Sequence, residues 1–497
     1  MAEVRFLLLS CLLAYEQTWP TGNSPHTPSI HILDDDSLLH IFYLYRPTIF
    51  DGDEDNILHF AGGRRWDRER WWYQLAHVCQ GWRNLILRSA SFLGLCLVCT
   101  YGTSIADMLA HSHPLPLIID FNDAYRKIAA EDEDEIILAL EQRERVHRIR
   151  IISPLPNMQR FITAIEGEYP ILEYLIMATP YEDRSAGLMV TETLQAPHLR
   201  HLTLRGFGIP VESRLLTTAV GLVALALGMN HPSTYLQPNT LLRWISFMPQ
   251  LDMLRVHFEF PVPSRDVERQ LMRTPITTHV TLPNLLELTF GGGSAYMEAV
   301  VQHITPPRLE KLLIVFPNQL TFSIPRLLEF INTTENLRFS HARFQFSDEE
   351  VFFEVYPHEE AKTYSFGIAV NCWDLDWQVS SVAQMSNALS QKFSTVEHLT
   401  LEHEVHSRSS EEHNEVNDTE WRKLLGSFSN VRTLRIPGRL VRELSRCIRL
   451  DDGEHPLELF PELQELIFSG SSAVGDAFTE FIDARKSIGR PVTLTCG

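Results

Sequence analysis

Apolar positions recur along this chain with two different periods, and the change from one to the other divides it. Within 72–87, Leu75, Val78, Cys79, Trp82, Leu85 and Ile86 follow the i, i+3, i+4, i+7 spacing of a single helical stripe. Ala76, His77, Gln80, Arg83 and Asn84 make up the other face. The pattern predicts one amphipathic helix whose stripe must be covered. The stretch 33–45 has the same character, with Leu38, Ile41, Phe42 and Tyr45 at helical spacing. Asp34, Asp35, Asp36 and Ser37 supply an N-cap and negative charge at the positive end of that helix.

From Val146 onward a second pattern takes over, apolar-x-x-apolar-x-apolar. It runs Val146/Ile149/Ile151, Leu172/Leu175/Met177, Leu199/Leu202/Leu204, Leu251/Leu254/Val256, Leu285/Leu288/Phe290 and Leu309/Leu312/Ile314, and returns as Val396/Leu399/Leu401, Val431/Leu434/Ile436 and Leu463/Leu466/Phe468. Most first members stand 24 to 35 residues apart; the 52 between Leu199 and Leu251 is twice 26 and leaves room for one degenerate unit. Pro197, Pro249, Pro283, Pro307 and Pro461 enter five of these strands, ending a preceding helix and presetting an extended backbone. Helical stretches fill several gaps, among them 239–248, 296–304, 326–332, 380–391, 421–428 and 477–486. One strand and one helix per unit at this period predict a solenoid. A βα protein with a parallel sheet would also alternate buried strands with helices. The region 335–372 keeps the pattern poorly. There 337–346, 352–355 and 364–370 alternate like longer, half-buried strands within irregular repeats.

Length and charge narrow the picture. A chain of 497 residues is too long for one compact core. A formal charge of −20 repels nucleic acid and demands a strong local basic patch of any such role. Cysteines at 11, 79, 96, 99, 372, 447 and 496 show no framework spacing and suit a reducing compartment. Cys96-Leu97-Val98-Cys99 reads as strand-like core. The apolar run 6–14 has the length of a signal-peptide core, but Glu3 lowers the charge before it and no small-x-small cleavage site follows, so it reads as a chance match or an additional packed helix. That run and 219–229 are both too short to span a bilayer.

The two N-terminal stretches together resemble the F-box family, whose pattern L-P-x-x-[LI]-[LI]-x-x-[IV]-[FL] is followed by L-x-x-V-C-x-x-W-R-x-L. Leu33, Leu38, Leu39, Ile41 and Phe42 match the first half; Leu75, Val78, Cys79, Trp82, Arg83 and Leu85 match the second. Asp34 stands where the family has proline, and an insertion at 46–71 separates the halves. The flavour is that of fungal F-box-like proteins. The repeats over 145–497 loosely resemble leucine-rich repeats, without the Asn or Cys that usually follows the strand. The fold expected is therefore α/β: a short all-helical N-terminal F-box followed by an irregular leucine-rich-repeat-like solenoid. Its divisions are an apolar then Pro-rich segment 1–28, the F-box 29–95, a connecting segment 96–144, and the repeats 145–497.

The resemblance implies a substrate-recognition adaptor of an SCF-type (cullin-RING) ubiquitin ligase, cytoplasmic or nuclear, and not an enzyme. Leu33, Leu38, Ile41, Phe42, Val78, Cys79, Trp82 and Leu85 would form the face that docks a Skp-type linker protein and its cullin scaffold, or the core beneath it. The target protein would lie against residues between the inward leucines, above all Arg205, Arg255, His257, Lys311, Glu402 and Arg435. Other readings of the same sequence are a repeat-type binding scaffold with a degenerate F-box, or a secreted recognition protein.

A search for chemistry returns little. Gly291-Gly292-Gly293-Ser294 lacks the Lys and spacing of phosphate loops and reads as a strand-to-helix turn. His398, Glu402, Glu404 and His406 would share one strand face, yet run into a polar loop and read as solvated side chains. The interleaved Arg and Trp of 64–72 contain Asp67 and Glu69, so local ion pairs are expected there. The acids 131–135 read as a solvated helix start. No cofactor, metal, nucleic-acid or membrane partner is implied.

Overall fold

The computed structural model describes residues 33–47, 69–112, 114–123, 130–180, 187–258, 276–317, 323–404, 418–448, 459–469 and 477–496. The apolar run 6–14, the Pro-rich linker and most of the 46–71 insertion lie outside them. The protein is mixed α/β with a large, mostly parallel sheet, and its contacts divide it into two compact units, Met1–Ile151 and Ile152–Gly497. Among the described residues no helix is long and apolar enough to cross a membrane.

The first unit begins with α1 (Asp35–Tyr45), α2 (Trp71–Ala76), α3 (Gln80–Arg88) and α4 (Ala90–Leu93). The single helix expected over 72–87 is broken. α2 stops at His77, Cys79 turns extended, and its Sγ accepts from the Trp82 amide at 3.4 Å to cap α3. The Arg83 Nε donates back to the Ala76 carbonyl at 3.0 Å, satisfying one of the acceptors that the early stop leaves open. Gly94, at φ 60, then ends α4 in the left-handed conformation that glycine adopts without strain.

Three strands follow, β1 (Leu97–Cys99), β2 (Leu117–Asn122) and β3 (Val146–Ile152), joined by α5 (Ile105–His111) and α6 (Ala130–Leu140). β1 and β2 run parallel with Leu97 opposite Leu117. The acids of α6 are not simply solvated. Asp132 accepts from the Gly102 amide at 2.7 Å, Glu135 accepts from the Ala106 amide at 2.9 Å at the start of α5, and Glu133 is buried. Glu69 is likewise buried and pairs with Arg148 on β3 at 3.2 Å; the arginines at 64, 65 and 68 lie outside the described residues.

In the second unit the ladder runs through β4 (Tyr174–Ala178), β5 (His201–Arg205), β6 (Ala224–Met229), β7 (Met253–Phe258), β8 (Glu287–Gly291) and β9 (Lys311–Pro317), each pairing in parallel with the next. β6 occupies the double interval between Leu199 and Leu251. At each join one carbonyl accepts two successive amides of the following unit. Glu173 takes those of Arg200 and His201, Arg200 those of Val223 and Ala224, Val223 those of Asp252 and Met253, Asp252 those of Leu286 and Glu287. This recurring pair is the backbone signature of the repeat.

The irregular region is a three-strand block, β10 (His341–Ser347), β11 (Glu350–Tyr356) and β12 (Phe366–Asn371), inserted in reverse order. β12 lies parallel beside β9, β11 runs antiparallel between β12 and β10, and β10 hands on in parallel to β13 (His398–Glu404). Only Asp348 and Glu349 separate β10 from β11, far too few residues for a parallel crossover, so the chain must return antiparallel. Ser347 Oγ closes that turn by accepting the Glu350 amide at 3.1 Å. The parallel order then resumes through β14 (Thr433–Pro437), β15 (Glu465–Ser469) and β16 (Thr493–Cys496).

Strand parity places the leucines of the pattern on one face, and helices cover it. These include α7 (Leu155–Ala164), α8 (Arg214–Thr218), α9 (Pro238–Ile245), α10 (Ser294–Val301), α11 (Pro325–Thr333), α12 (Leu375–Ala388), α13 (Ser390–Phe393), α14 (Asp418–Gly426), α15 (Val441–Ile448) and α16 (Thr479–Ser487). Tyr296 of α10 sits against Phe258 and Phe290 at 4.9 and 5.5 Å between ring centroids; Trp421 of α14 meets Phe346 at 5.5 Å. Trp244, Trp421, Tyr296 and Phe316 are fully enclosed. Arg485 of α16 is also wholly buried and spends its guanidinium on the carbonyls of Phe460, Pro461 and Leu463 at 3.0–3.2 Å, fixing the turn into β15.

Candidate functional site

The N-terminal residues singled out by the motif separate into two sets. Leu38, Phe42 and Trp82 are buried, and the Phe42 and Trp82 rings meet edge-on at 4.8 Å, joining α1 to α3. Leu33 and Val78 are exposed, while Ile41, Cys79 and Leu85 are half-buried. The helices also leave Tyr43, Leu44 and Phe92 open to solvent, with the Tyr43 and Phe92 rings 5.7 Å apart. Asp34, in the place of the family's proline, caps α1 by accepting the Ser37 amide at 2.7 Å. That bond holds its carboxyl below the usual range. The α2 aromatics are anchored separately, Trp72 Nε1 donating to the Cys96 carbonyl at 3.2 Å. Cys99, on β1 behind it, has its thiol pushed up to about 12 by burial, which keeps it protonated and inert.

The second unit carries the other residues, on the sheet face opposite the leucines. Glu287 is the centre of the first group. Arg255 holds it from β7 at 2.7 Å, and Lys311 from the directly opposite position on β9 at 3.3 Å. Burial pushes the Glu287 carboxyl up, but the two cations outweigh it and hold it below its ordinary value. Lys311 also lies over the Tyr364 ring, 5.1 Å from its centroid. In the next row along the strands, Arg205, Gly228, His257 and Gly291 stand side by side. A side chain at Gly291 would occupy the space of the His257 imidazole, and one at Gly228 would press on the Arg205 stem, so the glycines let both long side chains lie flat along the sheet. Burial, then Arg205, lowers His257 to about 4, and it is neutral at ordinary pH.

A second group forms where the reversed block meets β13. Arg343 pairs with Glu402 across the β10–β13 join and stands 4.0 Å from Glu354, whose carboxylate accepts from the Tyr356 hydroxyl at 2.7 Å. Burial, then Glu354, raises that phenol to about 12. Arg435 follows on β14 beside Thr400 of β13, exposed. The six residues expected on this face therefore do not form one open surface. Arg205 and Arg255 are buried, His257, Lys311 and Glu402 are half-covered, and only Arg435 of the six is exposed. Arg343, Glu354, Tyr356 and Tyr364 belong to the same face and went unnoticed in the sequence, although parity placed Arg343 and Glu354 there.

His398, Glu402 and Glu404 do share the polar face, His403 points the other way, and His406 is outside the described residues. No cluster of three or more His, Cys, Asp or Glu able to hold a metal occurs among the described residues. Gly291–Gly293 forms the strand-to-helix turn before α10, with Gly292 at φ 155.

No protein-family model matches this chain, and no curated protein matches it significantly. Among solved structures, the leucine-rich repeat-containing protein LegL7 from Legionella pneumophila aligns over 78% of this chain and 97% of its own length, at 13% identity and a TM-score of 0.24. A likeness of that size carries no argument about what this chain does.

Proposed function

We propose that the chain is a protein-binding adaptor that acts on no bond itself, and in particular the substrate-recognition subunit of an SCF-type ubiquitin ligase. The N-terminal helices dock a Skp-type linker protein joined to a cullin, and the repeat-bearing unit holds the target. Catalysis in such an assembly is positional, since tethering raises the local concentration of the target's lysines near the ubiquitin carrier. The compartment is cytoplasmic or nuclear, in keeping with the unframed cysteine spacing.

One observation carries the reading. The N-terminal helices pack Phe42 edge-on against Trp82 in their core and leave Leu33 and Val78 of the motif exposed, together with Tyr43, Leu44 and Phe92 outside it. Tyr43 and Phe92, with rings 5.7 Å apart, make a contiguous exposed apolar patch, the kind of surface that marks an interaction face.

Co-purification of the full chain with a Skp-type linker protein tests it. Val78→Asp, at an exposed position, should leave the thermal unfolding profile unchanged and weaken association about tenfold or more. Trp82→Ala should lose association together with the fold. A folded wild-type chain that fails to bind would overturn the ligase reading. The specific observation favouring a second reading is that Asp34 and the insertion depart from the family pattern; a repeat-type scaffold without ligase function then stands.

A further inference from the structure

Trp373 and Trp377 flank the start of α12 and are 76% and 51% exposed, although tryptophan is among the costliest side chains to leave in water. Their setting has a definite charge. Asp374 caps α12 through the Asp376 amide at 3.0 Å, which fixes the geometry of the segment between them. The β10–β11 turn is bound to the same place. The Glu349 carbonyl accepts the Cys372 amide at 2.9 Å, and the buried Gln378 side chain donates to the carbonyls of Ser347 and Cys372 at 2.9 and 2.6 Å. Glu350 accepts from Asn371 at 3.2 Å. Burial, then the neighbouring Glu349, raises the Glu350 carboxyl. Between them, 347–350 and 371–377 contain five carboxylates and no Lys, Arg or His.

We propose that this corner, with Trp373 and Trp377 as anchors and Glu349, Glu350, Asp374 and Asp376 as an acidic rim, docks a lysine- or arginine-bearing segment of a partner protein. Charge selects that occupant. A cation over an indole face gains cation–π attraction while its neighbours pair with the carboxylates. A second copy of this chain, at net −20, would bring more negative charge to an already negative rim. The site lies in the second unit and does not depend on the N-terminal docking proposed above.

The test is fluorescence anisotropy of the full-length chain with a labelled dodecapeptide alternating Lys/Arg with Gly/Ser, at physiological salt. Trp373→Ala/Trp377→Ala leaves net charge unchanged and, at exposed positions, the unfolding profile intact; it should weaken binding about tenfold. Glu349→Gln/Glu350→Gln should weaken binding and flatten its salt dependence, and Glu141→Gln/Glu144→Gln, a charge-matched change at exposed positions elsewhere, should not. Equal binding by wild type and the tryptophan variant, or equal effects of the two carboxylate pairs, overturns the proposal. So does a tryptophan-dependent dimer of the chain in size exclusion that the peptide fails to disperse.

Discussion

Glu287 shows how a single carboxylate can set the character of a face. It lies between Arg255 and Lys311 with little access to water, so removing its charge strands two cations that were desolvated on its account. Glu287→Gln should therefore cost about 3 kcal/mol near neutral pH, measured by urea unfolding. The sign with pH follows from its depressed pKa. Its contribution is fully present above the unfolded-state value near about 4.3 and disappears as pH falls through the lower folded value, so the gap between wild type and variant should close in acid. A gap that persists unchanged below that range would mean that Glu287 acts by packing alone. Parity in the sequence had already placed Arg255, Lys311 and Glu287 on one face. It did not show that they neutralise one another, because the partners come from different strands and their register is a property of the assembled sheet.

At the scale of elements, spacing made the strands legible and even the extra unit at β6, since each strand carries its own apolar triplet. Boundaries that depend on a single capping contact were hidden. The stripe through 72–87 continues across the point where Cys79 leaves the helix, so periodicity could not reveal the break. The antiparallel return at β11 was hidden as well, because alternation looks the same in either direction and only the two-residue turn decides. The glycines in the row through His257 are a further device of the sheet as an element. Gly291→Ala would place a methyl group where the imidazole lies, and overpacking of this kind costs about 1–3 kcal/mol. If the clash is the cause, His257→Ala should recover most of that loss when combined with it, giving a coupling energy in a double-mutant cycle. Additive losses would assign the cost to the β8 backbone instead.

Across the whole molecule two electrostatic effects compete, and salt separates them. The formal charge of −20 repels itself throughout the chain, whereas the pairs described above attract locally. Added salt shortens the screening length to about 10 Å at 0.1 M, which weakens the long-range repulsion first. Pairs such as Arg255–Glu287 are shielded by the sheet and lose little; exposed ones such as Arg432–Glu397 are worth at most about 1 kcal/mol to begin with. Raising sodium chloride from about 20 to about 200 mM should therefore move the urea midpoint upward, because the interaction most strongly screened is the unfavourable one. Glu287→Gln, one negative charge fewer, should retain that upward shift while remaining the less stable protein at both concentrations. A midpoint that falls with salt would mean that the attractive pairs outweigh the repulsion, so that the strands are held in series by charge across their joins as well as by backbone hydrogen bonds.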